Sequence, residues 1–117
     1  MRNRRGIGTQ YEEKAAGWLL GQGYRILERN FCCRQGEIDL IAREGGFLVF
    51  VEVKYRRDEA AGHPAEAVGL KKQRRIIRAA EYYRYRKRIP ETCPCRFDVV
   101  CILGDEVELI RNAFECG

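Results

Sequence analysis

Acidic and basic side chains interrupt two otherwise apolar segments of the sequence, GEIDLIAR at 36–43 and FLVFVEVK at 47–54. The residues that could do chemistry there are Asp39, Glu52 and Lys54. Carboxylates supply the oxygen ligands that Mg2+ prefers. A lysine ammonium can orient an attacking water and stabilise negative charge that builds on a phosphoryl group. Together these residue types indicate metal-assisted hydrolysis of a phosphodiester bond.

The two segments favour strands joined by the Gly-Gly pair at 45–46, which suits the positive φ angles of a hairpin turn. A two-residue turn predicts that Asp39 faces Glu52. The same register places Glu37 opposite Lys54, and the strand period of two puts all four on one face. Opposed like charges repel in an antiparallel pair. A divalent cation, Mg2+ or Mn2+, would offset that repulsion; the alternative is a solvent-facing hairpin side with scattered charge.

A helix is predicted before the strands, from Gly8 to Gln22, because apolar residues recur there at helical spacing. Glu12 lies on the stripe of this helix that should face the core. A carboxylate on that stripe requires a specific role. The alternative is an acid in the first turn that complements the helix dipole.

A second helix is predicted to open at Pro64 and to run to about Lys87. Lys72 falls midway along its apolar stripe. The side chain either extends out of the interface into solvent or points into a polar pocket. The stripe consists of Val68, Ile76, Ala79, Ala80 and Tyr83.

Strands are predicted at 24–31, 36–43, 47–54 and 96–103, with a shorter one at 107–112. The order is αβββαβ with a closing hairpin strand. Helices that flank a block of strands predict an α/β fold with a mixed central sheet covered on both faces. With 117 residues, the chain is expected to form a single domain over 1–117.

Positive charge is concentrated in one part of the sequence. The chain has 22 Lys and Arg against 17 Asp and Glu, a net charge of +5, and Glu81 is the one acid between 71 and 88. Such a cluster predicts binding of a polyanion such as nucleic acid; a solvated helix face is the alternative. The basic residues there are Lys71, Lys72, Arg74, Arg75, Arg78, Arg84, Arg86, Lys87 and Arg88.

No run of about 18 apolar residues exists, so no membrane span is expected. The basic N-terminal residues are not followed by an apolar stretch, so no secretory signal is expected and a cytoplasmic location is predicted. The six cysteines are accordingly expected to be free thiols. Their spacings lack the usual zinc pairs, and a cysteine-based redox or zinc protein is the least favoured class. Trp18 and the tyrosines at 82, 83 and 85 could stack on bases, although packing is the other role open to them.

Asp39 followed by Glu52-Val53-Lys54, after a helix that carries an acid, resembles the PD-(D/E)XK nuclease superfamily. The nearest relatives by resemblance are the uncharacterised YraN-like proteins, whose fold is similar to that of archaeal Holliday junction resolvases. The similarity covers most of the chain. The matching segments are Gly8 with 12–24, 36–42, 49–54, Val68, Lys72, Ala80, Tyr83, 96–100 and 112–114.

The resemblance implies a restriction-endonuclease-like αβββαβ core and a Mg2+-dependent or Mn2+-dependent nuclease acting on DNA, including branched or structured DNA. It implies that Asp39 and Glu52 bind the metal together with the Val53 carbonyl, and that Lys54 is the catalytic lysine. It places Glu12 near the metal as a further acid.

Lys72 would then turn toward the site and contact phosphate, with Arg74, Arg75 and Arg78 of the basic helix on the nucleic acid. Related nucleases also commonly pair as homodimers. Tyr11 departs from the pattern, since such proteins often carry Gly before the helix acid; a bulky residue there could shift Glu12 or narrow the groove. A non-catalytic nucleic-acid-binding protein that keeps the fold is the alternative function.

Overall fold

The computed structural model describes residues 2–56 and 68–115, with only the backbone of residues 2–9. Within these residues, two helices and five strands follow in the order αβββαββ, which confirms the predicted α/β class and the closing hairpin strand. The elements are α1 (Arg2–Gly21), β1 (Arg25–Cys33), β2 (Gly36–Glu44), β3 (Phe47–Arg56), α2 (Leu70–Arg86), β4 (Cys95–Leu103) and β5 (Glu106–Phe114).

The strands form one mixed sheet in the order β1-β2-β3-β4-β5. The β3–β4 pair is parallel, and the other three pairs are antiparallel. Parallel neighbours require a long crossover connection, and α2 lies in the segment that joins β3 to β4. The sheet is therefore mixed because the chain places a helix at that one point between strands.

The helices cover opposite faces of the sheet. Leu48 and Phe50 of β3 pack in one core cluster with the buried side of α2. Val49 and Val51 pack in a second cluster with Leu19 of α1. Because β3 is buried on both faces, its sequence is a continuous apolar run and not an alternating one.

The hairpin between β2 and β3 has the predicted turn and register. Gly45 has φ +62°, and the pairs run from Glu44–Phe47 to Leu40–Val51. The ladder ends there, so the predicted pairs Asp39–Glu52 and Glu37–Lys54 are wrong. Beyond Leu40, β2 continues to pair with β1, where Glu37 is opposite Cys32. β3 continues to pair with β4 as far as Arg56, so the two strands of the hairpin part at this point.

Both predicted helices begin at other residues in the structure. α1 begins at Arg2 and not at Gly8. Pro64 lies outside the described residues, but α2 begins at Leu70, after Gly69 in extended conformation with φ −73° and ψ 167°. Val68 therefore precedes the helix. Its side chain packs against the same core as α2, which is why its position fits the apolar stripe predicted for the helix.

A buried polar network joins β2, β4 and β5. Asp98 of β4 is fully buried and accepts hydrogen bonds from the Tyr24 hydroxyl at 2.7 Å, from Arg96 Nε at 2.9 Å and from the Asn112 backbone N–H at 2.9 Å. Arg96 also forms an ion pair with Glu44 at 3.1 Å. Every oxygen of this carboxylate therefore has a partner, as a buried charge requires.

The cysteines in the described parts of the chain form no disulfide with one another, in line with the expectation from the sequence. Cys116 lies outside the described residues. Neither α1 nor α2 is both long enough and apolar enough to cross a membrane.

Candidate functional site

Asp39 lies where β2 and β3 part, at the end of their ladder. Its Oδ2 accepts a hydrogen bond from the Val53 backbone N–H at 2.8 Å. A side-chain carboxylate thus takes the place of a strand carbonyl, which satisfies the backbone while the strands separate. Register reasoning had placed Asp39 beside β3 correctly, but its partner there is the Val53 backbone.

Glu52 is buried, with 4% of its surface exposed, and it is shared by two lysines. The ammonium of Lys72 is 2.5 Å from Glu52 Oε2, and that of Lys54 is 3.6 Å from the same oxygen. Lys54 and Glu52 therefore share a face of the sheet, as alternation predicted. Of the two possibilities for Lys72, the structure selects the polar pocket, because α2 directs this side chain onto the carboxylate.

Glu12 reaches the same place from the opposite face of the sheet. Its carboxyl group lies within hydrogen-bonding reach of Asp39 and of the Asn30 side chain. Its Oε1 is buried and has no hydrogen-bond partner among the residues that the structure describes. Because α1 begins at Arg2, Glu12 is not in the first turn and the dipole explanation does not apply. Three carboxyl groups from three elements therefore converge beside Val53.

Asn30 is a site residue that the sequence analysis missed. It has φ +53°, in the left-handed region where asparagine is enriched among non-glycine residues. Its side chain helps to hold Glu12. An asparagine within a strand-like segment is the signal that could have identified it, because asparagine is depleted in regular strands.

Burial and mutual repulsion change the acidities at the site. Burial, followed by the negative charge of Glu52, raises the pKa of Asp39 to about 9. Burial is also the largest cause of the raised pKa of Glu12. Burial, followed by hydrogen bonding with Lys72 and its positive charge, lowers the pKa of Lys54. Burial alone would lower the pKa of Lys72, but the attraction of Glu52 outweighs it and the pKa is raised.

These acids have the chemistry of a site for a hard cation. Asp39 and Glu52 are close enough to raise the pKa of Asp39, a repulsion that a cation between them would reverse. The Oε1 of Glu12, which has no hydrogen-bond partner in the described residues, supplies a further buried oxygen. Within residues 2–56 and 68–115, no group of three or more His, Cys, Asp or Glu residues is arranged so that it could hold a metal ion by itself. Mg2+ does not need one, since it commonly keeps waters and binds through one or two carboxylates.

The predicted nucleic-acid-binding residues fall into two groups. Lys72 is at the carboxylates, whereas Arg74, Arg75 and Arg78 are exposed on α2. Within residues 2–56 and 68–115, none of these three arginines takes part in an ion pair. Their charge is therefore available to a ligand in solvent.

Tyr11 stacks on Tyr55, with ring centroids 3.8 Å apart and an angle of 17° between the planes. Both rings pack against the core on the α1 face. Tyr11 precedes Glu12 and Tyr55 follows Lys54 in the sequence. Tyr11, the bulky residue that departs from the family pattern, thus forms a stacked aromatic pair with Tyr55, and each ring adjoins a site residue in the sequence.

Comparison with known proteins relates most of this chain to one protein family. Residues 11–102 match the model of the uncharacterised protein family UPF0102. A UPF0102 protein of Lachnoclostridium phytofermentans is 54% identical over 97% of this chain and 96% of its own length. UPF0102 proteins of Symbiobacterium thermophilum (50% identical, 94% of this chain and 97% of the relative) and Chromohalobacter salexigens (47% identical, 92% and 89%) are also similar. The matched region contains every predicted site residue.

Proposed function

We propose that this chain, which belongs to the uncharacterised protein family UPF0102, is a metal-dependent nuclease that hydrolyses phosphodiester bonds of DNA. One observation carries the proposal. Three carboxyl groups and two lysines meet where the central strands part, and within residues 2–56 and 68–115 one buried oxygen of Glu12 has no hydrogen-bond partner. A buried polar atom normally has a partner, so this oxygen supports a role for the cluster in binding a cation.

Asp39 and Glu52 would hold Mg2+ or Mn2+, with the Val53 carbonyl as a third ligand by resemblance. When bound, the metal supplies Lewis acidity to the scissile phosphate. Lys54 lies 3.6 Å from the Glu52 carboxylate and would orient the attacking water and stabilise the negative charge that develops on phosphorus oxygens. Glu12 contacts Asp39 and would fix its orientation.

Lys72 would have two roles in this mechanism, one at Glu52 and one at a phosphate of the DNA. Its ammonium neutralises Glu52 in the described structure. In a metal-bound protein Lys72 would no longer be needed to neutralise Glu52 and would be available to contact a phosphate of the DNA, as a point charge on a flexible stem. This exchange would couple metal binding to the binding of the scissile strand.

The test is incubation of the purified protein with end-labelled DNA duplexes, flaps and four-way junctions, with Mg2+, Mn2+ or EDTA. We expect metal-dependent cutting that falls by about 100-fold or more in Asp39→Asn and in Lys54→Met. Glu13→Gln is the matched control, because Glu13 adjoins Glu12 but is exposed and paired with Arg29. Cutting that persists in both site variants would show that the activity belongs to another site or to a contaminant.

A non-catalytic nucleic-acid-binding protein is the second candidate, and the ion pair between Lys72 and Glu52 favours it, because a carboxylate neutralised by lysine needs no metal. This candidate predicts salt-sensitive DNA binding without turnover under any metal. Binding would weaken when Arg74, Arg75 and Arg78 are neutralised. Observed turnover that depends on Asp39 would exclude it.

A further inference from the structure

One side of α2 carries a stripe that the proposed active site does not use. Arg75, Arg78, Tyr82 and Tyr85 follow one another at intervals of three and four residues, which places them along one side of the helix. We call these four residues the α2 flank. The buried residues of α2 lie on another side, against the sheet; they are Ile76, Ala79, Ala80 and Tyr83.

The three neighbouring tyrosines of α2 have different environments. Tyr83 is buried, with its ring edge-on to Phe31 and Phe50, so packing accounts for it. Tyr82 is partly buried, 6.4 Å from the Phe31 ring. Tyr85 is 81% exposed, so packing in the core does not account for it.

An open groove runs between the α2 flank and the turn that joins β1 to β2. Its volume is about 380 Å3, and it is lined by Gln35, Arg78, Glu81, Tyr82 and Tyr85. Two aromatic rings and one guanidinium thus border a space open to solvent. Flat rings beside positive charge form the combination on which successive bases of a single strand stack.

The charge of the surrounding surface fits the same ligand. Glu81 is the one acid on α2, against seven basic residues and two tyrosines that are not buried. Arg86 adds a guanidinium 6.0 Å from the centre of the Tyr82 ring. A polyanion would therefore be attracted to this side of the helix.

The flank begins next to the candidate active site. Lys72 precedes Arg75 by about one turn of α2, and its ammonium is at Glu52. At about 1.5 Å per residue, Tyr85 is about 20 Å from Lys72 along the helix. That distance corresponds to about six nucleotides at about 3.4 Å each.

We propose that the α2 flank binds single-stranded DNA, with bases stacked on Tyr85 and Tyr82 and phosphates against Arg75 and Arg78. That this segment leads to the scissile bond rests on the proposed function; the binding itself does not. A duplex encloses the faces of its bases, so an exposed tyrosine ring gains little from it. An unpaired strand offers those faces. The substrate would then be DNA with a single-stranded extension beside the cleaved bond.

The test is the fluorescence anisotropy of a labelled single-stranded 12-mer, and of the matching duplex, titrated with protein in EDTA so that no cutting occurs. We expect Tyr85→Ala to weaken single-strand binding by about fivefold or more and to leave duplex binding unchanged. Tyr85→Phe should keep the wild-type affinity, because stacking needs the ring and not the hydroxyl. Leu20→Ala, which removes a side chain that is 57% exposed on α1, should change neither affinity.

Replacing Arg75 and Arg78 together by alanine should weaken the binding of both the single strand and the duplex. The dependence of the affinity on salt concentration should fall by the equivalent of about two phosphate contacts. Arg25→Ala, at an exposed position of β1, is the control for net charge. Single-strand affinity that is unaffected by Tyr85→Ala would overturn the proposal, as would an equal loss for the duplex. Because the assay needs no cutting, an inactive protein with Tyr85-dependent binding would reject only the proposed nuclease.

Discussion

At the scale of single residues, Asp39 holds the site together. It accepts the Val53 N–H, lies near Glu52, and contacts Glu12. Asp39 lies on β2, whereas Val53 and Glu52 come from β3 and Glu12 comes from α1. One carboxyl group therefore connects two strands with the helix on one face of the sheet. A carboxyl group among other acids in a buried position is destabilising when ionised, and its stability effect should therefore be visible in the metal-free protein.

The pH dependence follows from the raised pKa of Asp39. In the unfolded chain this carboxyl ionises near its ordinary value of 3.8, whereas in the folded protein its pKa is about 9. Between these values the folded state binds the extra proton, so stability is highest below about pH 4 for this group and falls as pH rises toward 9. Metal-free protein should thus lose stability across that window in thermal melts.

Asp39→Asn should remove this loss, because the amide oxygen can still accept the Val53 N–H but carries no charge. In EDTA at pH 8 we expect a higher Tm than wild type, where each 1 kcal/mol corresponds to roughly 4 °C for a domain of this size. Mg2+ should raise the Tm of wild type and not that of the variant. A variant that melts below wild type at pH 8 would contradict the assignment of repulsion to this group.

The residue types and the hairpin register led from the sequence to Asp39, Glu52 and Lys54, because a two-residue turn fixes which positions of adjacent strands are near each other. The orientation of Glu12 could not be settled in that way. It depends on where α1 begins and how it packs, which are long-range properties. The partner of Asp39 was also missed, since the end of a ladder is decided by β1 and β4 and not by the hairpin itself.

At the scale of elements, the close approach of α2 to β2 positions Lys72. A Cβ atom at Gly36 would be 3.1 Å from the Arg75 carbonyl oxygen and 3.4 Å from the Arg75 Cβ. Glycine at the start of β2 therefore lets the helix backbone lie against the strand. Lys72 is about one turn away from this contact, and its ammonium is on Glu52.

Gly36→Ala should destabilise the protein by about 1 kcal/mol, because the added methyl group must push the helix backbone away. Urea denaturation measures the effect. Gly17→Ala is the control, since no atom lies within 4 Å of the added Cβ there. At this position inside α1, alanine should stabilise by about 0.5–1 kcal/mol. Equal stability of Gly36→Ala and wild type would mean that α2 is not held tightly at this point.

The sequence located most elements, since strand formers and turn residues act locally. The start of α2 was placed wrongly because periodicity records which residues meet the core and not whether their backbone is helical. Val68 meets the α2-face core from an extended segment. The Gln73 side chain, which donates to the Val68 carbonyl at 2.9 Å, fixes that arrangement.

At the scale of the whole molecule, the buried network around Asp98 ties β4 to β5 and, through the ion pair of Arg96 with Glu44, to β2. Asp98→Asn should cost about 3 kcal/mol, because an amide NH2 group would face donors from Tyr24 and Arg96 and leave them unpaired. Chemical denaturation measures this loss. Asp105→Asn, at an exposed position of the turn between β4 and β5, should have little effect. A small loss in Asp98→Asn would show that the network is not a major contributor to stability.

The two helices lie on opposite faces of the sheet, and each contributes one charged side chain to the strand junction, Glu12 from α1 and Lys72 from α2. Under the proposed function, activity would therefore require that both helices are folded against the sheet. A nascent or partly unfolded chain without α1 or α2 would lack Glu12 or Lys72 at the strand junction and would not be able to cut DNA. Competence to cut would then report that folding is complete.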